Sequence, residues 1–175
     1  MMDISHSQVA QDIFALRQNN HMREGWFVDV GCAYPIEINN TYLLESSYNW
    51  RGILIDSDPQ YTSAISQQRK SSFILSDATV LDYSVVFRDN SFPKHINYLS
   101  IDLDPPDNPL SALEKIMNTD YTFQCITFEH DSYWFGDSVK NKAKEILLDS
   151  NYSLCVEDVT HNGTEPFEDW YVYNG

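Results

Sequence analysis

Five short apolar runs, each ending in or beside acidic residues, alternate along this chain with segments of helical spacing. The runs, read from their apolar residues, cover 26–30, 52–56, 72–75, 96–103 and 123–128. Runs that are apolar throughout are typical of strands buried on both faces of a sheet. Strands that are separated by helices pack as a mostly parallel sheet with helices on both sides. The order of elements therefore predicts a doubly wound α/β fold.

The spacing of apolar residues also predicts the remaining elements. It indicates an N-terminal helix over residues 5–18 and further helices near residues 42, 58, 110 and 139. Residues 78–94 show no clear period, and their valines predict a short strand or hairpin. Two late runs, 152–156 and 170–173, are joined by a polar loop without a helix. We expect these two runs to form a hairpin that contributes one antiparallel strand.

Length and charge limit the function further. At 175 residues the chain suits one domain, with an N-terminal helix in residues 1–22 and an α/β core in residues 23–175. A net charge of −15 argues against nucleic acid and anionic membranes as partners. No apolar run is long enough to span a bilayer. Three isolated cysteines, Cys32, Cys125 and Cys155, predict buried thiols in a reducing, cytoplasmic compartment.

The carboxyl ends of parallel strands meet at one edge of a sheet, where α/β proteins bind ligands. The first run ends at Gly31 and small residues follow, which is typical of a crevice for a nucleotide-like ligand. Asp56, after the second run, could accept hydrogen bonds from ribose hydroxyls. It could instead cap the next helix, a role that Asp58 fills equally well. Asp77, after the third run, could accept a hydrogen bond from an adenine amino group or form an ordinary turn.

The fourth and fifth runs end in a group of ionisable residues. Asp102 and Asp104 lie two apart and should share a face, as should Glu129 and Asp131, with His130 between them. Such groups repel one another unless they share a cation or a proton. One hypothesis is a Mg²⁺ or Mn²⁺ site made by all five residues. The alternatives are a metal-free acid/base site, with His130 as base beside Asp102, and a solvated acidic rim.

Several segments together resemble one protein family. They are 27–33 (FVDVGCA), 40–45 (NTYLLE), 50–56 (WRGILID), 98–102 (YLSID), 126–129 (ITFE) and 167–171 (FEDWY). In this order they are similar to the FkbM-like S-adenosylmethionine-dependent methyltransferases. The resemblance implies a seven-stranded class I methyltransferase fold, which is Rossmann-like, and S-adenosylmethionine as cofactor. The cofactor-binding residues that it implies are Asp29, Gly31 and Ala33 at the methionine part, Asn40 and Thr41 nearby, Asp56 at the ribose and Asp77 near adenine.

The resemblance implies methylation of a hydroxyl oxygen on a sugar, a glycan or another small acceptor. In related metal-dependent O-methyltransferases a cation lies at the ends of strands four and five, here Asp102 or Asp104 and residues 129–131. Two departures stand out. Tyr34-Pro35 replaces a usual glycine, and residues 102–107 replace an Asp-x-x-Gly-x-Glu pattern, which makes Asp104 a candidate catalytic carboxylate.

The chain also lacks an insertion that could cover an acceptor. Recognition of the acceptor could therefore need the N-terminal helix or a partner subunit, such as a second copy in a homo-oligomer. The alternative function is a non-catalytic partner subunit that binds the cofactor or a nucleotide with the same fold.

Overall fold

The computed structural model describes residues 4–105 and 107–175. Its strands are β1 (Trp26–Val30), β2 (Arg51–Asp56), β3 (Ser72–Leu75), β4 (His95–Ile101), β5 (Thr122–Glu129), β6 (Tyr152–Thr160) and β7 (Pro166–Tyr173). They form one seven-stranded sheet in the order β3-β2-β1-β4-β5-β7-β6. The first five strands pair in parallel, and β7 pairs antiparallel with β5 and β6. The predicted mostly parallel sheet with a C-terminal hairpin is confirmed.

Helices cover both faces of this sheet. They are α1 (Gln11–Gln18), α2 (Tyr42–Tyr48), α3 (Thr62–Gln68), α4 (Tyr83–Asp89), α5 (Asp107–Met117), α6 (Ser132–Phe135) and α7 (Ser138–Asp149), with a 3₁₀ turn over Pro59–Tyr61. Leu43 of α2 and Ile65 of α3 belong to one buried cluster. Phe87 of α4 and Leu113 of α5 belong to a second, larger cluster. The sheet therefore lies between two apolar layers, as a doubly wound fold requires.

A continuous row of apolar side chains crosses the four central strands. Val28 of β1 pairs with Ile53 of β2 and with Leu99 of β4, which in turn pairs with Ile126 of β5. All four side chains are buried. Because neighbours in register on parallel strands point to the same face, this row fixes the alignment of the strand ends. The residues that follow these strands are therefore brought to one edge.

Residues 78–94, predicted as a short strand or hairpin, instead contain helix α4, so that prediction is wrong. The Asp82 carboxylate caps this helix by accepting a hydrogen bond from the Val85 N–H at 3.2 Å. Tyr83 and Phe87, one turn apart, are both buried against the sheet. Burial of these two rings outweighs the β-preference of the valines.

Other boundaries differ in detail. Helix α1 begins at Gln11, because the residues before it turn around Asp12, whose carboxylate accepts hydrogen bonds from the Ser5 hydroxyl and the His6 N–H. Strand β4 ends at Ile101, two residues before the end of the predicted run, and residue 106 lies outside the described residues.

Two further expectations concern the cysteines and the membrane. Cys32 and Cys125 are buried as expected, whereas Cys155 is exposed, so the prediction of three buried thiols is wrong for that residue. The helices in the described part of the chain are all too short or too polar to cross a membrane.

Candidate functional site

The carboxyl ends of β1, β2, β4 and β5 border a cavity of about 470 Å³. This volume lies within the roughly 300–1,000 Å³ that is common for small-molecule sites. The acidic residues among its lining are Asp29, Asp56, Asp58, Asp102, Asp104 and Glu129. Within the described ranges the lining includes no lysine or arginine. The cavity therefore favours a ligand that carries positive charge.

Gly31 forms the turn that leads from β1 into the cavity. Its φ is 86°, and a Cβ atom there would lie 1.6 Å from the carbonyl oxygen of Asp102. The Gly31 N–H donates to the Ile55 carbonyl at 2.9 Å, and the Asp102 N–H donates to the Val30 carbonyl at 2.9 Å. The ends of β1, β2 and β4 are thus held so close that only glycine fits.

The loop between β1 and α2 is held by the Asn39 side chain. Its amide group donates to the carbonyls of Cys32 at 3.0 Å and Tyr34 at 2.9 Å. Its Oδ1 accepts from the Thr41 N–H at 3.0 Å. These bonds fix the loop that carries Ala33, Tyr34 and Asn40 of the cavity wall.

Arg69, directly after α3, supports the same loop from behind. Its buried guanidinium donates to Glu45 at 3.1 Å, to Asn39 Oδ1 at 3.0 Å, to the Pro35 carbonyl at 3.2 Å and to Thr41 Oγ1 at 3.0 Å. Burial raises the pKa of Glu45, but the Arg69 charge and backbone N–H donors outweigh it and leave that pKa below its ordinary value. Arg69 therefore makes the loop one satisfied polar network.

Asp29 and Asn40, two of the residues that the resemblance implies, lie at the inner wall of the cavity. The Asp29 carboxylate is buried and accepts a hydrogen bond from the Thr41 hydroxyl at 2.7 Å. Burial raises the pKa of Asp29 to about 6. The Asn40 amide donates to the Ser100 hydroxyl at 2.9 Å. Thr41 itself does not line the cavity and acts by holding Asp29.

Asp56 joins the loop to the end of β2. One carboxylate oxygen accepts from the Ala33 N–H at 2.9 Å, and the other accepts from the Asp58 N–H at 2.8 Å. Asp58, not Asp56, caps the following 3₁₀ turn by accepting from the Gln60 N–H. Because each carboxylate oxygen has a second lone pair, Asp56 can still accept two hydroxyl donors from the cavity.

Asp102 and Glu129 form a carboxyl pair on the opposite wall. Both line the cavity and are hydrogen-bonding neighbours. Burial and the adjacent Asp102 charge raise the pKa of Glu129 far above its ordinary value. Burial also raises the pKa of Asp102, although its hydrogen bond with Glu129 opposes the rise. The pair therefore shares one proton, with Glu129 protonated and Asp102 as the acceptor.

The predicted five-residue metal site is only partly assembled. Asp104 is exposed at the rim of the cavity that Asp102 and Glu129 line, whereas Asp131 and His130 are not among the lining residues. The His130 ring is buried, and its Nδ1 accepts from the Ser132 N–H at 3.1 Å. Its Nε2 lies 3.5 Å from Asp169 of β7. The expectation that the imidazole faces Asp102 as a base or a ligand is therefore wrong, because its Nε2 faces Asp169 in the C-terminal hairpin.

A different acidic group surrounds His130. Within the described ranges, the residues whose potential ligand atoms come within 4.8 Å of one another are His130, Asp158 and Asp169. The Ser132 N–H at Nδ1 places the hydrogen of the neutral ring on Nε2, facing Asp169. The Asp158 carboxylate is already bonded to Lys140. This geometry describes a histidine–aspartate pair and a salt bridge.

Asp77 lies outside the cavity lining, exposed, with its carboxylate accepting from the N–H and the hydroxyl of Thr79.

The sequence did not predict Gln8, Tyr61 and Arg69 as residues of the site. Tyr34 and Tyr61 line the cavity beside Asp56, with ring centroids 5.3 Å apart. Tyr34 could have been predicted as a lining residue, because it stands where the resemblance implies a glycine. Arg69 gave no local signal, because its partners lie 24 to 34 residues away in sequence.

Comparison with known proteins gives a match in structure and not in sequence. No family model matches the chain, and no curated relative matches it. A candidate rRNA methylase from Clostridium thermocellum matches with a TM-score of 0.63 at 16% identity, over 98% of this chain and 97% of that protein. The resemblance to the FkbM-like family is therefore not confirmed.

Two further matches contain cofactor or product. Aeropyrum pernix fibrillarin with bound S-adenosyl-L-methionine has a TM-score of 0.59 at 11% identity, over 95% of this chain and 74% of that protein. The Burkholderia thailandensis 1,6-didemethyltoxoflavin-N1-methyltransferase with bound S-adenosylhomocysteine has a TM-score of 0.55 at 10% identity, over 96% and 78%. The chain therefore has the fold of class I S-adenosylmethionine-dependent methyltransferases.

Proposed function

We propose that this protein is an S-adenosylmethionine-dependent methyltransferase that acts on a hydroxyl group of a small acceptor such as a sugar. One observation carries the proposal: within this fold, the cavity at the carboxyl ends of the strands is lined by acidic and not by basic residues. S-adenosylmethionine carries positive charge on its sulfonium and its ammonium group, whereas a dinucleotide would bring a pyrophosphate that these carboxylates repel.

The residues present fit this cofactor. Asp29, with its raised pKa, gains a counter-charge when a cationic group lies beside it, and Gly31 allows the ends of β1 and β4 to meet at the cavity. Asp56 keeps two free lone pairs for ribose hydroxyls, and Tyr34 and Tyr61 offer flat apolar surfaces beside it for adenine. Ala33 and Asn40 complete the wall near the methionine part. Both Thr79 donors bond to Oδ1 of Asp77, so its Oδ2 could still accept from the adenine amino group.

The chemistry that the bound cofactor supplies is an electrophilic methyl group. The chain must hold an acceptor oxygen in line with it and receive the proton that this oxygen loses. Asp102 is placed to receive that proton, because it is the unprotonated member of the carboxyl pair and burial makes it more basic. Glu129 keeps the pair at a single negative charge. We assign proton acceptance to this pair and not to His130, and we assign no metal to this step.

The surface after β5 and the charge of the chain both bear on the choice of acceptor. The rings of Tyr133, Trp134 and Phe135 are exposed on α6, directly after β5, and offer apolar surface for a sugar ring. The net charge of −15 favours a neutral or cationic small molecule over RNA. Buried Cys32 and Cys125 suit a reducing, cytoplasmic compartment. A second copy of the chain could cover the acceptor.

The proposal is tested by release of S-adenosylhomocysteine from the full chain incubated with S-adenosylmethionine and a panel of monosaccharides and polyols. We expect turnover with at least one acceptor and a loss of roughly 100-fold in Asp102→Asn, the usual contribution of a general base. Asp120→Asn is the control, since Asp120 is exposed and pairs with Lys94 far from the cavity.

Addition of Mg²⁺ or EDTA should leave that rate unchanged. A rate that depends on Mg²⁺ would restore the expected cation between Asp102, Asp104 and Glu129. Cofactor binding without turnover on any acceptor would favour the non-catalytic partner subunit, and absence of cofactor binding would reject both functions.

A further inference from the structure

A second cleft lies at the amino ends of the strands, on the edge of the sheet opposite the candidate active site. It has a volume of about 340 Å³ and is formed by the first residues of β1, β2 and β3 with the segments before them. Its charged lining residues are Arg51 and Lys70, and its polar ones include Ser71, Ser72 and Asn90. In a chain of net charge −15, this cleft is lined by cations and by no carboxylate among the described residues.

The two cations are available to a ligand. Arg51 and Lys70 are exposed, and in the described part of the chain neither forms a salt bridge with an acidic side chain. The Glu45 carboxylate, which accepts from the backbone N–H groups of Lys70 and Ser71, is already paired with Arg69. A guanidinium and an ammonium that line one cleft without a paired carboxylate favour an anion there.

The cleft is also built from fixed parts. The Arg51 guanidinium lies 5.1 Å from the centre of the Trp26 ring, and that ring packs against Phe92 at 4.9 Å. Trp50 is held by its indole N–H, which donates to the Met22 carbonyl at 2.9 Å. Arg51 is therefore held against an aromatic face and loses less freedom on binding than a free surface arginine.

An unsatisfied hydroxyl group in the cleft lining points to the same ligand chemistry. The Ser71 Oγ is buried and makes no well-formed hydrogen bond among the described residues, although it lies beside the Glu45 carboxylate and helps to lower the pKa of that group. A buried hydroxyl without a partner is costly, and its hydrogen can be donated to an anionic oxygen. Phosphate has enough oxygens to accept from a hydroxyl, a guanidinium and an ammonium together.

We propose that this cleft binds the phosphate group of a small phosphate monoester. Since β1 spans five residues, the cleft lies roughly 17 Å from the candidate active site and does not share its ligand. The site is independent of the methyltransferase proposal, because none of its residues lines the first cavity.

The test is a titration of the full chain with inorganic phosphate and with phenyl phosphate at low ionic strength, followed by nuclear magnetic resonance of backbone amides. We expect saturable shifts at residues 49–52 and 70–72. Arg51→Gln and Lys70→Gln should each weaken binding by roughly fivefold or more, as for loss of one charge-assisted hydrogen bond. Arg17→Gln is the matched control, since Arg17 is another arginine without a salt bridge but lies outside the cleft.

Ser71→Ala gives a second, separate readout. It should weaken phosphate binding and lower the thermal stability of the unliganded protein only slightly, because the hydroxyl it removes makes no well-formed hydrogen bond among the described residues. Absence of saturable shifts with both probes would overturn the proposal. So would binding that Arg51→Gln and Lys70→Gln leave unchanged, or that Arg17→Gln weakens equally.

Discussion

The two walls of the candidate active site handle negative charge in opposite ways. On the β1–β2 wall, the Asp56 carboxylate is matched by backbone N–H groups, and behind this wall the Glu45 carboxylate is matched by Arg69. On the β4–β5 wall, Asp102 and Glu129 are hydrogen-bonding neighbours that share a proton. The first arrangement is that of a rigid binding surface, and the second is that of a site that exchanges protons. Under the proposed function, binding and proton transfer would thus be separated between the two halves of the sheet.

The largest expected effect concerns the satisfied wall. Arg69→Met should lower the free energy of unfolding by about 3–5 kcal/mol, because it leaves Glu45 buried without its partner. Lys94→Met is the control: it breaks the exposed pair with Asp120 and should leave the midpoint of urea unfolding nearly unchanged. Similar midpoints for the two variants would show that the Arg69 network does not stabilise this wall.

A second prediction tests how closely the two walls approach. Gly31→Ala should cost about 3–4 kcal/mol, since the methyl group meets the Asp102 carbonyl and the backbone has a positive φ. Gly163→Ala separates these causes, because Gly163 also has a positive φ, 83°, but a Cβ atom there meets nothing within 4 Å. We expect it to cost only about 1–2 kcal/mol. Equal losses in the free energy of unfolding, measured with urea, would mean that the contact between the walls does not contribute to the cost of Gly31→Ala.

The residues on the two walls were not equally predictable from sequence. Gly31 and Asp56 were placed because strand ends in a parallel sheet meet at one edge, which is a local rule. The direction of His130 was not predictable, because it is set by Asp169 in a hairpin that follows some 40 residues later. Arg69 was missed for the same reason, and α4 was missed because burial of two rings outweighed local preference. Local pattern thus predicted the fold and the cavity, whereas tertiary contacts decided which side chains face it.

A third prediction concerns the charge on the binding wall. The pKa of Asp29 is raised from 3.8 to about 6, so the folded state holds this proton more firmly than the unfolded state. The contribution of Asp29 to the free energy of unfolding should therefore fall by about 3 kcal/mol as the pH rises from about 4 to about 6. Asp29→Asn removes this contribution. The free energy of unfolding of the variant, relative to that of the parent, should therefore rise with pH across that window. A difference that stays constant from pH 4 to pH 7 in urea unfolding would refute it.

The smallest expected effect compares two ligands in the same cavity. S-adenosylhomocysteine lacks the sulfonium charge, so it should bind more weakly than S-adenosylmethionine by about 1 kcal/mol at low salt. The difference should shrink as salt is added, because the carboxylates at the rim are screened. Calorimetric titrations at two salt concentrations measure both effects. Tighter binding of S-adenosylhomocysteine would mean that the acidic lining does not select for charge.

The central claim is that the acidic cavity binds S-adenosylmethionine through the satisfied wall, and calorimetric titration of the full chain with this cofactor tests it most directly. We predict one site per chain, with affinity lowered by about 1–3 kcal/mol in Asp56→Ala, the cost of leaving two ligand hydroxyls unpaired. Asp120→Ala, an exposed aspartate far from the cavity, should bind like the parent. Absence of binding to the parent chain, or equal affinity in Asp56→Ala, would contradict the claim.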